Sequence, residues 1–352
     1  MTRIRESPPL WNFCPPDAVA SSMPPLKRHV GLAIGLFFLA PLVAEFLLGN
    51  LPIKMLGALV VLAPLYGGGA LLIRESVRRT GHGWPSIVIL GLVYGIVEEA
   101  FTTQSLFNPN YLGLNLHLLE PAYISVLGIG AWWTVFVLTI HTAWSISASI
   151  ALMEAFVPDG ASAPWLGRTG LTIAGLLFVL GAVASTLIEL RHDHFLASPA
   201  QLASAAVICV ILALIAFRTP AWKASVTARV PNPWLAGVFA LAAGSAVLLI
   251  PSRWGWGAAI AILAVDGIVL AAVLFWSCSL FWNMRHKLAL AAGAALAYGW
   301  HSFFEHPAVG EMDSSVRIGN AIFLGAAVVL IAAAAARNRQ SKLAFVPDPE
   351  AS

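Results

Sequence analysis

The sequence predicts an all-α, polytopic transmembrane bundle of about ten helices, and three observations lead to this fold class. Apolar residues make up 59% of the 352 positions and charged residues only 11%, whereas soluble domains contain roughly 25% charged residues. The apolar residues form continuous runs of about twenty, which is the length that crosses a bilayer as a helix. These runs lack the alternation of lipid-facing and lumen-facing residues that is typical of membrane β-barrels. Lipid is therefore the expected solvent for most of the chain.

Ten apolar runs are candidates for membrane spans. They cover approximately residues 30–49, 55–73, 85–106, 130–154, 169–189, 199–217, 233–250, 256–277, 288–305 and 317–336. Glycine and proline mostly mark the joints between runs, for example at Gly49, Pro85 and Pro251. The three glycines from Gly67 to Gly69 lie inside the second run, where we expect them to permit close helix contact or local unwinding.

The spans divide the chain into four parts: an N-terminal tail, four spans, six further spans and a C-terminal tail. These parts cover residues 1–28, 29–155, 156–336 and 337–352. Lysine and arginine concentrate in the short loops on the cytoplasmic side. With the N-terminus inside, sixteen of the twenty basic residues fall in inner segments, and the outer segments keep only Lys54, Arg191, Arg253 and Arg317. This asymmetry predicts a multi-pass protein of the cell membrane with both termini in the cytoplasm.

Composition also limits the partners that the chain is expected to have. The first apolar run is too long for a removable signal peptide, so it is expected to remain as an anchor. The three cysteines show neither a disulfide framework nor metal-ligand spacing. A net charge of +3 without a basic, aromatic-interleaved module does not indicate nucleic-acid binding. The lipid bilayer is the partner that the composition predicts; no cofactor is predicted, and the oligomeric state is not specified.

Glu98 and Glu99 are the most informative polar residues inside the predicted spans. An acidic side chain at membrane depth costs about 2.5 to 3.5 kcal/mol on insertion scales, so two adjacent acids require a reason. Neighbouring helical positions point about 100° apart. We therefore expect one acid to face a cavity and the other to bind a neighbouring helix. A buried carboxylate suits a general base or a proton carrier equally.

Two histidines lie inside other spans, each with a polar residue one helical turn further on. His141 is followed by Ser145 in the fourth span, and His301 is followed by Glu305 in the ninth. Counting the helical rise from the outer ends places both histidines and the two glutamates in the outer half of the bilayer or near its middle. We expect Glu98, His141 and His301 to share one cavity that is open to the external side, with Ser145 and Glu305 in supporting positions.

The remaining acids near or inside spans are expected to have structural roles. Glu45 and Asp266 are interpreted as hydrogen-bonding partners of neighbouring helices, with transport as the functional alternative. Glu154, Glu189 and Glu305 lie near helix ends, where they are expected to reach lipid headgroups.

The glutamate pair, a histidine on the next span and a later His-x-x-x-polar element together resemble the CPBP family of CAAX-processing and bacteriocin-processing intramembrane peptidases. The pattern of that family is EExxxR, then FxxxH, then HxxxN or HxxxD, each on its own helix. The resemblance implies that Glu98 and His301 activate a water molecule. It further implies that His141 and residue 305 stabilise the oxyanion, while Glu99 supports the arrangement.

The resemblance covers about residues 70–155, and the chain departs from the family pattern at three positions. Thr103 stands where the family has arginine, Val137 stands where it has phenylalanine, and Glu305 stands where it has asparagine or aspartate. The two histidines are also 160 positions apart, so this order of motifs requires additional spans between them. A zinc version of the site is chemically acceptable. No HExxH motif or cysteine cluster indicates zinc, however, and no metal is predicted.

These observations favour an intramembrane peptidase that hydrolyses a peptide or membrane-protein substrate in the external half of the bilayer. Glu98, Glu99, His141 and His301 are its candidate catalytic residues. Two alternatives stay open. One is a proton-coupled transporter or permease in which the buried acids, including Glu45 and Asp266, relay protons. The other is a non-catalytic membrane protein whose buried polar groups only pair between helices.

Overall fold

The computed structural model describes residues 29–158, 161–308 and 310–343. The predicted N-terminal tail, 1–28, lies outside the described residues, as do residues 344–352 of the predicted C-terminal tail. Within the described ranges the architecture consists of ten long helices. They are α1 (Val30–Leu47), α2 (Ile53–Arg79), α3 (Trp84–Thr102), α4 (Ala131–Glu154), α5 (Arg168–Asp193), α6 (Pro199–Arg218), α7 (Pro233–Leu249), α8 (Trp256–Ser277), α9 (Met284–His301) and α10 (Ser314–Leu343). The predicted all-α fold class is confirmed.

Eight helices in the described part of the chain are long and apolar enough to cross a membrane. This number is close to the ten spans expected from the sequence. The other two predicted spans coincide with α7, which has only 17 residues, and with α9, which carries Arg285 and Lys287 near its start. The last helix continues past the predicted boundary at residue 336, as far as Leu343.

Several helices begin where the sequence supplies a cap. Ser198 accepts a hydrogen bond from the backbone N–H of Gln201 and forms a capping box with it, and Pro199 follows at the first helical position of α6. Asn232 caps α7 by accepting a hydrogen bond from the backbone N–H of Trp234, immediately after Pro233. Such caps satisfy backbone donors that have no partner inside the helix, and proline at the first position has no donor to satisfy. These local signals fix the starts of α6 and α7.

The helices differ in how deeply they are buried, and this difference locates the centre of the bundle. In α3 and α4, 61% of the most apolar window is buried, against 11% in α5 and α6. The central helices are therefore those that carry Glu98, Glu99 and His141. Lipid-facing apolar side chains cover the peripheral helices, as expected where lipid is the solvent.

Between α3 and α4 the chain forms a long connection with a short antiparallel hairpin. Its strands are β1 (Tyr123–Ile124) and β2 (Ile129–Gly130). Leu114 and Leu116 are exposed along this connection. The connection runs over the end of the bundle that the charge pattern predicts to be external.

A buried ion network occupies the opposite end of the bundle. Arg74 Nε lies 3.1 Å from Glu154 Oε1, and all three side chains of Arg74, Glu75 and Glu154 are inaccessible to solvent. Arg78 Nη2 lies 2.8 Å from Glu154 Oε2. The expectation that Glu154 reaches lipid headgroups is therefore wrong, because its carboxylate is enclosed between two arginines of α2.

A glycine permits α1 and α2 to touch backbone to backbone. A Cβ atom added at Gly67 would lie 2.0 Å from the carbonyl oxygen of Phe37, which is far inside van der Waals contact. The close helix contact expected from the glycine run is thus present at Gly67.

We expect Gly67→Ala to lower the free energy of unfolding by about 1 to 3 kcal/mol, because the backbones of α1 and α2 must separate. Gly57→Ala is the matched control on the same helix, since a Cβ there meets nothing within 4 Å; its effect should stay within about 0.5 kcal/mol. Equilibrium unfolding by SDS in mixed micelles, followed by tryptophan fluorescence, measures both variants. Equal stabilities of the two variants would contradict the close packing.

Candidate functional site

Each of the first four helices contains a π-helical segment, and the described residues contain no others. The segments are Leu42–Leu47, Ala63–Gly67, Glu98–Thr102 and His141–Ala148. Such wide turns are rare and occur frequently at functional sites. Pro41 and Pro64 adjoin or lie within the first two segments, where proline cannot donate to the preceding turn. All four segments carry polar side chains that meet in the centre of the bundle.

Glu98, Glu99 and His141 form a buried group that we call the Glu–His cluster. His141 Nε2 lies 2.8 Å from Glu99 Oε1, and His141 Nδ1 lies 3.4 Å from Glu98 Oε2. None of the three side chains is more than 7% exposed. Instead of diverging as expected from an α-helical spacing, the two carboxylates meet the same imidazole from its two nitrogen atoms. The π-helical turn that begins at Glu98 changes the helix phase at this point and accompanies that convergence.

Glu99 is held in place by hydroxyl groups as well as by the imidazole. Thr103 Oγ1 donates to Glu99 Oε2 at 3.1 Å, and the Ser105 hydroxyl donates to the same oxygen. The indole N–H of Trp133 in α4 donates in turn to Ser105 Oγ at 2.9 Å. Both oxygens of Glu99 are therefore hydrogen-bonded, and Glu99 fixes the orientation of His141 rather than remaining free to react.

Glu98 differs from its neighbour in having an unsatisfied oxygen. Its Oε2 atom is buried and accepts no hydrogen bond from the described residues. The hydroxyl of Tyr94 is likewise buried without a hydrogen bond of good geometry, although it lies within reach of Glu98. The rings of Tyr66 and Tyr94 lie against the imidazole, with centroids 5.9 and 6.0 Å from that of His141. Glu98 is thus the side of the cluster that has unused hydrogen-bonding capacity.

The two acids interpreted as structural partners each bind another side chain. Glu45 Oε1 accepts from the Tyr66 hydroxyl at 2.5 Å, and its Oε2 accepts from Asn50 Nδ2 at 2.5 Å. Asp266 in α8 accepts from Thr139 Oγ1 in α4 at 2.6 Å. Both acids therefore link neighbouring helices, as the sequence interpretation expected.

The structure brings together part of the predicted catalytic set. Ser145 Oγ lies 3.3 Å from His141 Nδ1, next to the Glu–His cluster. His301 instead lies beside Glu305, with His301 Nδ1 and Glu305 Oε2 3.6 Å apart. Among the described residues, no hydrogen bond or ion pair joins His301 or Glu305 to the cluster, and the metal-compatible group contains neither of them.

Sequence reasoning missed the tyrosines and the hydroxyl groups around the cluster. Tyr66 and Tyr94 lie within spans and away from the interfaces, where tyrosine usually anchors a helix. That depth is a signal that would have found them. Ser105 lies in the connection after α3 and Trp133 at the start of α4, and nothing in their spacing indicates that they meet Glu99.

A lipid-facing groove adjoins the same π-helical turn of α3. Its volume is about 220 Å³, and it lies between α3 and α5. Val97, Phe101 and Thr102 line it on one side, and Ala182, Val183, Thr186 and Leu187 line it on the other. Apart from the two threonines, the side chains that line the groove are apolar.

Comparison with known proteins identifies the chain at the level of a family. The model of an uncharacterized membrane protein family matches residues 35–340. The chain belongs to this family. The matched residues include the Glu–His cluster, the ion network around Arg74, and most of α1 and α10. No curated protein and no solved structure matches the chain. The protein is a multi-pass membrane protein.

Proposed function

We propose that the protein is a membrane-embedded peptidase that cleaves a peptide or membrane-protein substrate within the bilayer. The observation that carries this proposal is the convergence of Glu98 and Glu99 on His141 at the centre of the bundle. Lipid tolerates ionisable groups at this depth where they serve a pathway or a site. Four π-helical turns around one polar centre support a site over a purely structural pairing.

Glu98 is the proposed general base. Its free oxygen accepts a proton from a water molecule while the water oxygen attacks the carbonyl carbon of the scissile bond. Glu99 keeps the imidazole oriented through Nε2, so that His141 Nδ1 faces the reacting groups. The proton then passes to the leaving amine nitrogen when the carbon–nitrogen bond breaks, and Glu98 returns to its starting state.

Tyr94 is the proposed donor to the oxyanion. Its hydroxyl is buried beside Glu98 and carries no hydrogen bond of good geometry, so it is available to stabilise negative charge that develops on the carbonyl oxygen. A donor already fixed in a water-poor site stabilises a transition state more than a donor in water does. This role replaces the one that the family resemblance implied for residue 305, because no hydrogen bond or ion pair among the described residues joins Glu305 to the Glu–His cluster.

The groove between α3 and α5 supports a substrate that enters from lipid. It opens beside Val97 and Thr102, which flank the glutamate pair in sequence. A transmembrane or membrane-inserted peptide reaches such a groove without crossing the headgroups. The proposed substrate is therefore an apolar peptide segment that already lies in the membrane.

Comparison of protein termini in cells tests the proposal. Membranes from cells that produce the wild-type protein should contain new peptide ends in membrane proteins, and His141→Ala should remove them, because the imidazole lies between both carboxylates. His117→Ala is the matched control, since this histidine is 63% exposed in the outer connection; it should leave the peptide ends unchanged. An identical set of termini for all three proteins contradicts a peptidase.

A further inference from the structure

The Glu–His cluster also has the composition of a metal site. Glu98, Glu99 and His141 each offer one ligand atom, and these three atoms lie within 4.8 Å of one another. Two buried atoms at this place have no hydrogen-bond partner. One is Glu98 Oε2, within the cluster, and the other is the hydroxyl oxygen of Tyr94, beside it. Buried polar atoms are normally satisfied, so two orphans at one place require an explanation. A bound cation supplies it for the carboxylate.

One distance has the value expected for two ligands of one ion. Tetrahedral zinc holds nitrogen and oxygen ligands at about 2.0 to 2.2 Å, which places two of them about 3.4 Å from each other. His141 Nδ1 and Glu98 Oε2 are 3.4 Å apart and do not form a hydrogen bond. Because Nε2 is engaged with Glu99 at 2.8 Å, the lone pair of Nδ1 and the carboxylate of Glu98 face each other. Two acceptors in this arrangement are held together by a positive centre between them, either a proton or a metal ion. The Ser145 hydroxyl, 3.3 Å from Nδ1, contacts the ring nitrogen but does not reach Glu98 by any hydrogen bond among the described residues.

The charge of the surroundings favours a dication. Two carboxylates with one divalent cation and a neutral imidazole form a neutral group, and a neutral group is far less costly in a low-dielectric interior than one with excess charge. With an imidazolium instead, the cluster keeps a net negative charge, and Glu45 adds another carboxylate through Tyr66. No lysine or arginine in the described residues forms an ion pair with these acids.

We propose that the Glu–His cluster binds a divalent transition-metal cation, with Zn²⁺ as the best chemical match. Glu98 Oε2 and His141 Nδ1 bind the ion directly. Glu99 orients the imidazole from behind, in the carboxylate–histidine–metal arrangement that is common around zinc. An imidazole ligand and the small number of oxygen donors argue against Ca²⁺ and Mg²⁺, which prefer oxygen-only shells. The proposal concerns binding and stands whether or not the protein cleaves peptides.

Metal content of the full-length protein in detergent, with any affinity tag removed, is the direct test. We expect about one zinc per chain by elemental mass spectrometry, and after chelation we expect Co²⁺ to produce a visible absorption band that Zn²⁺ abolishes. Glu98→Gln and His141→Gln should weaken Zn²⁺ binding at least about 100-fold, because losing a partner of a ligand alone costs 10- to 100-fold. Asp266→Asn is the matched control, because it removes a membrane acid that binds only Thr139 in the described structure.

The outcomes separate cleanly. Zinc that is present in the wild type and in Asp266→Asn, but lost in both cluster variants, supports the site. A folded wild-type protein that binds neither Zn²⁺ nor Co²⁺ overturns it and leaves a proton between the two acceptors. Zinc retained by Glu98→Gln overturns it as well, because the metal then lies elsewhere. If a cluster variant does not fold, the cobalt spectrum and stoichiometry of the wild type still decide. Peptidase activity is not part of this measurement, so its absence leaves the result unaffected.

Discussion

Arg74→Met is expected to lower the free energy of unfolding by about 3 to 5 kcal/mol, which is the cost of removing one partner from a buried ion pair. Arg74 lies at the centre of the ion network: its Nη1 is 2.5 Å from Glu75 Oε1 and its Nε is 3.1 Å from Glu154 Oε1. Methionine fills similar space without charge. The carboxylates of Glu75 and Glu154 then stay buried with one positive charge fewer to compensate them.

The same arginine also holds a loop. Arg74 Nη2 donates to the carbonyl oxygens of Ala161 and Ala163 at 2.9 Å, and its guanidinium lies 3.4 Å from the ring centroid of Trp165. Glu75 accepts from the backbone N–H groups of Trp165 and Leu166. Loss of the guanidinium therefore releases the connection between α4 and α5 as well as the charges.

Lys54→Met is the control for this prediction. Lys54 pairs with Asp313 at 3.8 Å, and both side chains are about half exposed, so its loss should cost no more than about 1 kcal/mol. The double variant Arg74→Met/Glu75→Gln should recover part of the loss, because it removes an opposite charge together with the guanidinium. SDS-induced unfolding in mixed micelles measures all three. A wild-type midpoint for Arg74→Met would show that the network does not stabilise the fold.

The membrane fold was predictable because lipid sets a simple requirement. A span must be long, apolar and internally hydrogen-bonded, and α3, α4 and α8 follow from that rule. Glu98 and Glu99 were also predictable, since two acids at this depth cannot be incidental. The ion network around Arg74 was not predictable from the sequence. Arg74 and Glu154 lie near helix ends, where charges usually meet headgroups or water, and no local pattern shows that one end of α2 packs against the end of α4.

The composition of the site was predictable only in part, for reasons of packing. The order of histidines along the chain says nothing about which helices are neighbours, so the sequence could not show whether His301 meets His141. Among the described residues no hydrogen bond or ion pair joins the two. The π-helical turns at Glu98 and His141 have no sequence signature, and they change which side chains face the centre. The depth of Tyr94 within its span was a usable sequence signal, but nothing in its spacing shows that its hydroxyl lies beside Glu98.

Under the proposed peptidase function, Glu98→Gln is expected to reduce kcat by about 10²- to 10⁴-fold, the range that a general base contributes. The carboxamide keeps the shape of the side chain but cannot accept the proton of the attacking water. Initial rates with a fluorogenic membrane peptide, designed from a cleavage site found by the comparison of termini, measure the effect. Asp266→Asn should retain the wild-type kcat, because Asp266 binds Thr139 and not the cluster.

Glu99→Gln separates the roles of the two acids. Its amide oxygen can still accept from His141 Nε2, the contact that Glu99 Oε1 makes at 2.8 Å, so its loss should be smaller, about 10- to 100-fold, as for residues that orient a ligand. A larger effect of Glu99→Gln than of Glu98→Gln would reverse the assignment of the base. Metal content then separates two ways of activating the water. A zinc-containing wild type whose Glu98→Gln variant loses both zinc and turnover would indicate that the ion helps to activate the water, whereas a metal-free wild type with the same kinetic loss assigns the proton acceptor to the carboxylate of Glu98.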